Sequence, residues 1–239
     1  MRKFLEIGGV IAAIVLIAFG IGAIALGVNG HSTVNDSLKQ EQITGSGDMT
    51  PATIAGEVKA AKTAQSQLVS KLQAAGVKIT PAPIDTPSCS VAGTQVSNGD
   101  QARCFAKYMR IHTFGATSGL TYSQMGRYIA KDGTPLKFTD GLGATNDPNY
   151  AQTDPTTQQP VSNGRRDIWV TYTALTTALN SSYMASRLAV FGIVVGVALL
   201  LAGIGFGILA LMGALENPKT AWSQKPKEAA RPPEVPAKA

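Results

Sequence analysis

The sequence predicts a mainly α-helical membrane protein, in which two transmembrane helices flank an α-rich extracytoplasmic domain clamped by a disulfide bond. Two long, uncharged apolar blocks lie near the ends of the 239-residue chain. Basic residues flank these blocks on the sides that face the chain termini, and the only two cysteines lie between the blocks. The predicted organisation is a cytoplasmic N-terminus at 1–6, spans at 7–28 and 188–215, an outer domain at 29–187 and a disordered cytoplasmic tail at 216–239.

The first apolar block runs from Ile7 to Val28 and contains no charged residue. A helix needs about 20 apolar residues to cross about 30 Å of hydrocarbon, so this block is long enough to span a bilayer. The short basic start and the Ala-x-Ala pattern at 23–25 are also found in cleaved signal peptides, and cleavage would leave a chain starting near Leu26. The apolar run exceeds the about 7–15 residues of a signal core, which favours an uncleaved anchor.

The second apolar block, Leu188 to Leu215, contains two Gly-x-x-x-Gly pairs, and Ala18 and Gly22 form a weaker match in the first block. Small residues at this spacing allow a neighbouring helix to approach closely. The predicted partner is the other span of the same chain, and self-association is the alternative. The candidate packing residues are Gly192, Gly196, Gly203 and Gly207. Neither span contains an ionisable residue, which disfavours proton or ion transport by this chain alone.

The distribution of Lys and Arg predicts the orientation of the chain. Arg2 and Lys3 precede the first span, and a cluster of basic residues between 219 and 231 follows the second. Short cytoplasmic segments carry such residues, so both termini are predicted in the cytoplasm of a multi-pass plasma-membrane protein. Acidic and basic residues nearly balance in the central domain, although the net charge of the chain is +6. No basic stripe interleaved with aromatic residues indicates a nucleic-acid partner.

The two cysteines, Cys89 and Cys104, are predicted to form a structural disulfide. Thiols on the outer side of a cytoplasmic membrane oxidise, and disulfides persist there. A bridge that closes a loop of about 15 residues contributes about 3 kcal/mol to stability. A zinc site needs four ligands, and a catalytic redox pair has the spacing C-x-x-C, so neither alternative fits this pair.

Local signals predict the helices of the outer domain. Asn29-Gly30 predicts a break after the first span. Thr50 and Pro51 predict the start of a helix, and Gly76 predicts its end. The apolar stripe of this helix is thin and is expected to pack on the domain, with a coiled-coil partner as the alternative. Asp100 is a candidate cap for a second helix that carries Cys104.

Three further segments complete the outer domain. Thr121 and Gln124 have the spacing of a capping box and predict another helix over residues 121–133. Turn residues over 139–166 predict a long loop that is ordered only if it packs. Residues 165–187 predict a helix that continues into the second span, with a strand at its start as the alternative because several threonines occur there. Trp169 is expected to pack against the outer domain.

The sequence contains no recognisable catalytic, cofactor-binding or metal-binding motif. Its two histidines, His31 and His112, form no i, i+4 pair, and His112 is expected to bond to a neighbour on a helix face. An acidic set in the turn-rich segment does not have the spacing of a calcium loop and is expected to be solvated. This set comprises Asp140, Asn146, Asp147 and Asp154.

A family resemblance is carried by the segments DMTP, CSVAG, ARCFAKYMRIHTFGATSGLTYSQMGRY, GATNDPNYA and WVTYTALTTALNSSYMASRLAVFGIVVGVALLLAGIGF. They resemble a family of two-span actinobacterial membrane proteins of unknown function, which implies a location in the cell envelope. Members are sometimes labelled as the aromatic ring-opening dioxygenase LigA. Oxygenases of that type resemble non-haem iron enzymes, which need two histidines and a carboxylate on one open face. The two histidines of this chain are not joined to a glutamate by any pattern, so the expected iron ligands are not found.

The function expected from the sequence is therefore that of a non-enzymatic structural or protein-interaction component of the cell envelope. The predicted partners are the lipid bilayer and a membrane or envelope protein, with a second copy of the chain as one candidate. The alternative is an accessory subunit of a transporter or of a lipid-handling complex. An exported enzyme is the third class, and it requires a polar pocket around His112.

Overall fold

The computed structural model describes residues 2–212 of the chain. It is 65 % helical, which confirms the mainly α class. Four α-helices lie within the described range: α1 (Arg2–Gln40), α2 (Pro51–Ala74), α3 (Gly99–Ala116) and α4 (Gly164–Leu211). Two short strands, β1 (Tyr128–Ile129) and β2 (Ala144–Thr145), pair antiparallel between α3 and α4. The predicted tail at 216–239 and the last residues of the second predicted span lie outside the described residues.

The chain divides into two compact units. The apolar unit contains the described residues up to Gly27 and from Phe191 onward, and the second unit is Val28–Val190. Helices α1 and α4 are both long and apolar enough to cross a membrane. Their most apolar stretches are only 11 % and 17 % buried, so a protein core does not account for their apolar surface.

Helix α1 continues without a break through Asn29 and Gly30, so the predicted interruption at this dipeptide is wrong. The turns beyond it carry Val34, which is half-buried, and Leu38, which is 4 % exposed, and both pack on the core of the second unit. Burial of these side chains stabilises the end of the helix by more than the about 1 kcal/mol that a glycine costs.

Helices α2 and α3 form the centre of the second unit. Helix α2 begins as predicted, because the Thr50 hydroxyl accepts a hydrogen bond from the Thr53 amide at 3.2 Å and Pro51 occupies the first turn. Helix α3 is capped by Asn98 and not by Asp100, because the Asn98 side chain accepts from the Gln101 amide at 3.0 Å. The core between these helices and the start of α4 contains Ile54, Val58, Leu72, Tyr108, Ile111, Phe114 and Trp169.

The helix predicted after Thr121 is wrong, since only one 3-10 turn forms there, at Tyr122–Gln124. The chain then passes very close to β2, because a Cβ added at Gly126 would clash with the backbone nitrogen of Thr145. Such proximity needs an extended chain beside a strand and has no room for the side chains of a helical turn.

The turn-rich segment that follows is ordered because it packs around Asp140. The Asp140 carboxylate is 7 % exposed and accepts from the backbone amides of Gly126, Leu142 and Ala144 at 2.9–3.1 Å. Asp140 therefore organises this segment through hydrogen bonds within the chain. The carboxylates of Asp147 and Asp154 also accept hydrogen bonds from backbone amides.

Helix α4 begins at Gly164 and runs continuously to Leu211, so the helical prediction is right and the strand alternative is wrong. Trp169 anchors the first turns of this helix in the core, as expected. Its ring lies edge-on to Phe114 at 5.4 Å between centroids, and its indole N–H donates to the Leu120 carbonyl at 2.9 Å. The threonines, which favour a strand, are tolerated in this helix. The Thr176 hydroxyl, for example, donates a hydrogen bond to the Tyr172 carbonyl one turn earlier.

Candidate functional site

The structure contains the predicted disulfide between Cys89 and Cys104, with Cα atoms 6.0 Å apart. Cys104 lies on α3, and Cys89 follows the proline-rich residues 77–88, which we call the lead-in segment, so the bridge joins this segment to the helix. Tyr108, one turn further along α3, is buried and donates its hydroxyl to the Cys89 carbonyl. Burial raises the pKa of Tyr108. The lead-in segment is therefore attached to α3 by one covalent bond and one hydrogen bond.

Two of the four predicted packing glycines lie against the backbone of α1. A Cβ added at Gly196 would lie 2.8 Å from the Gly20 carbonyl oxygen, and one added at Gly203 would lie 2.9 Å from the Ile17 nitrogen. At Gly192 and Gly207 an added Cβ would make ordinary contacts of 3.7–3.8 Å with α1. The two apolar helices run antiparallel in this unit, because residues early in α1 meet residues late in α4.

The matching small residue on α1 is Gly20, where an added Cβ would lie 2.7 Å from the Leu200 nitrogen. The residue proposed from the sequence, Gly22, has no atom within 4 Å of such a Cβ. Ala13, Gly20 and Gly27 recur every seven residues along α1, which is the signal that identifies this face.

A cluster of three titratable side chains, missed from the sequence, forms where α2, α3 and the turn before α2 meet. The Nδ1 atom of His112 lies 3.2 and 3.1 Å from the two carboxylate oxygens of Glu57. The Nε2 atom of the same ring lies 3.6 Å from Asp48 Oδ2. His112 thus bonds to a neighbour, as expected, but it faces two carboxylates from two other elements. We refer to these three residues as the His112 cluster.

Local structure explains the position of each member of the His112 cluster. Gly115, one turn after His112, leaves room for Glu57, because an added Cβ would lie 2.8 Å from Glu57 Oε1. The Ser46 hydroxyl donates to the Asp48 carboxylate. This hydrogen bond lowers the pKa of Asp48, and the proximity of His112 adds to it against the opposing effect of desolvation.

Solvent reaches all three members of the His112 cluster. The exposed fractions of the side chains are 27 % for His112, 33 % for Glu57 and 47 % for Asp48. No spacing in the sequence joins these residues, since 55 positions separate Glu57 from His112. The other histidine, His31, lies 3.3 Å from the Ser186 hydroxyl and belongs to a different contact.

A separate surface groove of about 500 Å³ is bounded on one side by the extended segment Val77–Thr80. Val77 and Ile79 are half-buried against the core, whereas Lys78 and Thr80 are exposed, which is the alternation of a β-strand. Within residues 2–212, the amides of Lys78 and Ile79 make no hydrogen bond to the backbone. This segment therefore has the character of an unpaired strand.

The opposite side of the groove consists of the residues around Asp140 and the 3-10 turn at Tyr122–Gln124. The Gln124 side chain donates to the Thr80 carbonyl at 2.6 Å and fixes one end of the extended segment. Lys137, Phe138, Asn146 and Asp147 complete this side. The groove combines basic, acidic and apolar groups with free backbone amides.

None of the family models, curated proteins or solved structures compared with this chain matches it. The functional conclusion consequently depends on the geometry of the groove and of the helices described above.

Proposed function

We propose that this protein is a two-span component of the cell envelope whose extracytoplasmic domain binds a partner protein in the groove beside residues 77–80. The observation that carries this proposal is the extended segment whose amides at Lys78, Ile79 and Thr80 make no backbone hydrogen bond within residues 2–212. Successive amides of a strand point to opposite edges, so Lys78 and Thr80 present one edge and Ile79 the other. An exposed strand of this kind pairs with an extended peptide, whose main chain completes the hydrogen bonds.

The groove favours a short extended segment of the partner over a flat surface. Pro81 and Pro83 have no N–H, so pairing is limited to about four residues at 77–80. Lys78 on one side of the groove and Asp147 on the other provide charges of both signs for side chains of the bound peptide. The proposed ligand is therefore an extended peptide of mixed charge that belongs to another envelope protein.

Two features support the proposed location of the domain. Helices α1 and α4 are long and apolar enough to cross a membrane. The disulfide of the domain between them is of the kind that persists in an oxidising compartment. We propose the orientation with both termini in the cytoplasm, which agrees with the basic flanks and with the resemblance to the actinobacterial two-span family.

The orientation is tested by labelling single introduced cysteines in intact cells with a membrane-impermeant maleimide. Cysteine at Lys131, which is exposed in the outer domain, is expected to react without permeabilisation. Cysteine at Ala237 is expected to react only after permeabilisation, because the reagent cannot reach the cytoplasm. The reverse pattern would contradict the proposed topology.

Peptide binding is tested with a photocrosslinking amino acid at Lys78 in native membranes. We expect one dominant crosslinked partner, whose attachment point mass spectrometry locates in an extended segment. The same amino acid at Lys59, on the exposed side of α2, provides the control. A partner captured equally from both positions would contradict the groove.

A matched pair of substitutions sharpens this test. Ile79→Pro removes the amide of one edge and fixes φ at about −65° in the middle of the segment, which distorts the strand for pairing at either edge. The crosslink from residue 78 is therefore expected to fall at least about tenfold. Ile79→Val retains the amide and a similar side chain, so it is expected to retain the crosslink. Equal crosslinking in both variants would reject strand pairing.

A transporter subunit as partner would identify the protein as an accessory subunit.

A further inference from the structure

We infer that the His112 cluster is a binding site for a divalent first-row transition-metal cation such as Zn²⁺. This inference is independent of peptide binding, because Asp48, Glu57 and His112 do not line the groove beside residues 77–80.

The three side chains supply a suitable set of donor atoms. Each offers one ligand atom, and these atoms all lie within 4.8 Å of one another. One imidazole nitrogen with two carboxylate oxygens suits Zn²⁺, Fe²⁺ or Mn²⁺, whereas Ca²⁺ takes six to eight oxygen ligands. A bound ion lies about 2.0–2.2 Å from each ligand, which needs separations of about 3–3.5 Å between ligand atoms. His112 Nδ1 and Glu57 Oε2, 3.1 Å apart, are already in this range. Asp48 Oδ2 lies 3.6 Å from the opposite ring nitrogen, Nε2, so the Asp48 side chain must move closer to complete the site.

The charges of the cluster also favour a divalent cation. Among residues 7–212, the ion pairs of Asp48 and Glu57 are with His112 alone. Two carboxylates therefore face one imidazole, and no lysine or arginine of this range pairs with either of them. A divalent ion would neutralise both carboxylates, with the neutral imidazole as its third ligand.

The ligands are held by the fold and not by flexible loops. Asp48 lies in a turn fixed by its neighbour Met49, which is 3 % exposed and whose carbonyl accepts from the Val91 amide at 3.1 Å. The Asp48 carbonyl also accepts from the Thr53 hydroxyl at 2.7 Å. Glu57 and His112 extend from helices that pack on each other. The backbone positions of the three ligands are therefore fixed, and only the partly exposed side chains need to adjust when an ion binds.

The partial exposure of the cluster also suits an exchangeable metal ion. Three protein ligands leave at least one coordination position for water, as in exchangeable and catalytic zinc sites. The exposed fractions of 27–47 % provide a path by which the ion enters and leaves.

The test uses the full-length chain in detergent, freed of any affinity tag, stripped of metal with EDTA and titrated with Zn²⁺ against a chromophoric chelator. We expect one zinc ion per chain and a rise in the thermal midpoint with zinc, because the ion binds the folded state. Glu57→Gln and Asp48→Asn preserve shape while removing charge, and each is expected to weaken zinc binding at least about tenfold. His112→Ala is expected to abolish it.

His31→Ala is the matched control, since it removes the only other histidine and is expected to bind zinc as the unaltered chain does. Sub-stoichiometric zinc in the unaltered chain, or unchanged binding in Glu57→Gln and His112→Ala, would overturn the inference and leave the cluster as an ion pair between α2 and α3. Ile79→Pro is expected to retain zinc binding, which separates this result from that of the peptide-binding test.

Discussion

Replacing Gly196 with leucine is expected to force the two apolar helices apart and to destabilise the apolar unit. A Cβ at this position would lie 2.8 Å from both the Gly20 carbonyl oxygen and the Ile24 nitrogen. Both are backbone atoms of α1, so a rotamer change cannot relieve the clash. Overpacking of this kind costs about 1–3 kcal/mol, and the loss of close helix contact adds to it.

An engineered crosslink gives a direct measure of the helix separation. A Cβ added at Gly207 lies 3.7 Å from that of Ala13, which matches the about 3.8 Å between the Cβ atoms of a disulfide. Cysteines introduced at these two positions are therefore expected to oxidise within one chain, and mass spectrometry after alkylation measures the yield. We expect Gly196→Leu to reduce this yield severalfold.

Gly205→Leu is the matched control, because it lies on the same helix and an added Cβ there meets no atom within 4 Å. A similar crosslink yield in the two leucine variants would contradict the close approach of the helices at Gly196. A crosslink that joins two chains would indicate self-association through this face instead.

Removal of the disulfide by Cys104→Ala is expected to lower the free energy of unfolding of the second unit, Val28–Val190, by about 3 kcal/mol. The bridge joins residues 15 positions apart, and a loop of this length restricts the unfolded chain by about this amount. The hydrogen bond from Tyr108 to the Cys89 carbonyl remains available, so the lead-in segment is expected to stay near α3 in the folded state. Denaturant unfolding of the full chain in a mild detergent measures the loss.

Two comparisons distinguish the covalent constraint from the packing of the buried Cys104 side chain. Cys89→Ala, which retains the buried Cys104 side chain, and the Cys89→Ala, Cys104→Ala double variant are both expected to be nearly as stable as Cys104→Ala, since each breaks the same bridge. A reductant is expected to destabilise the unaltered chain and to leave the double variant unchanged. Insensitivity of the unaltered chain to reduction would show that the bridge contributes little.

Features that depend on neighbouring residues in the chain were predicted correctly. Helix α2 starts at Pro51 because Thr50 caps it locally, and α4 is continuous because its apolar residues recur over 48 positions. The disulfide was also predictable, because only two cysteines exist and they lie between the apolar blocks. In each case the interaction that determines the structure acts over a few residues or has a single possible partner.

The errors occur where tertiary contacts outweigh local signals. Asn29 and Gly30 do not interrupt α1, because Leu38 beyond them is buried in the core. The capping box at Thr121 forms, yet no long helix follows it, because Gly126 lies against the backbone of β2. Local helix and turn preferences amount to about 1 kcal/mol, which is less than the free energy gained by burying an apolar side chain or lost through a backbone clash.

The amino-acid sequence by itself determined the two apolar helices, the cysteine pair and the mainly helical class, because composition and periodicity express these directly. Only the tertiary structure decided that Asp48, Glu57 and His112 meet and that residues 77–80 form one side of a groove. Both sites join residues more than 40 positions apart. Their assembly depends on how α2 packs on α3 and how Asp140 folds the turn-rich segment, and no local pattern in the sequence encodes these contacts.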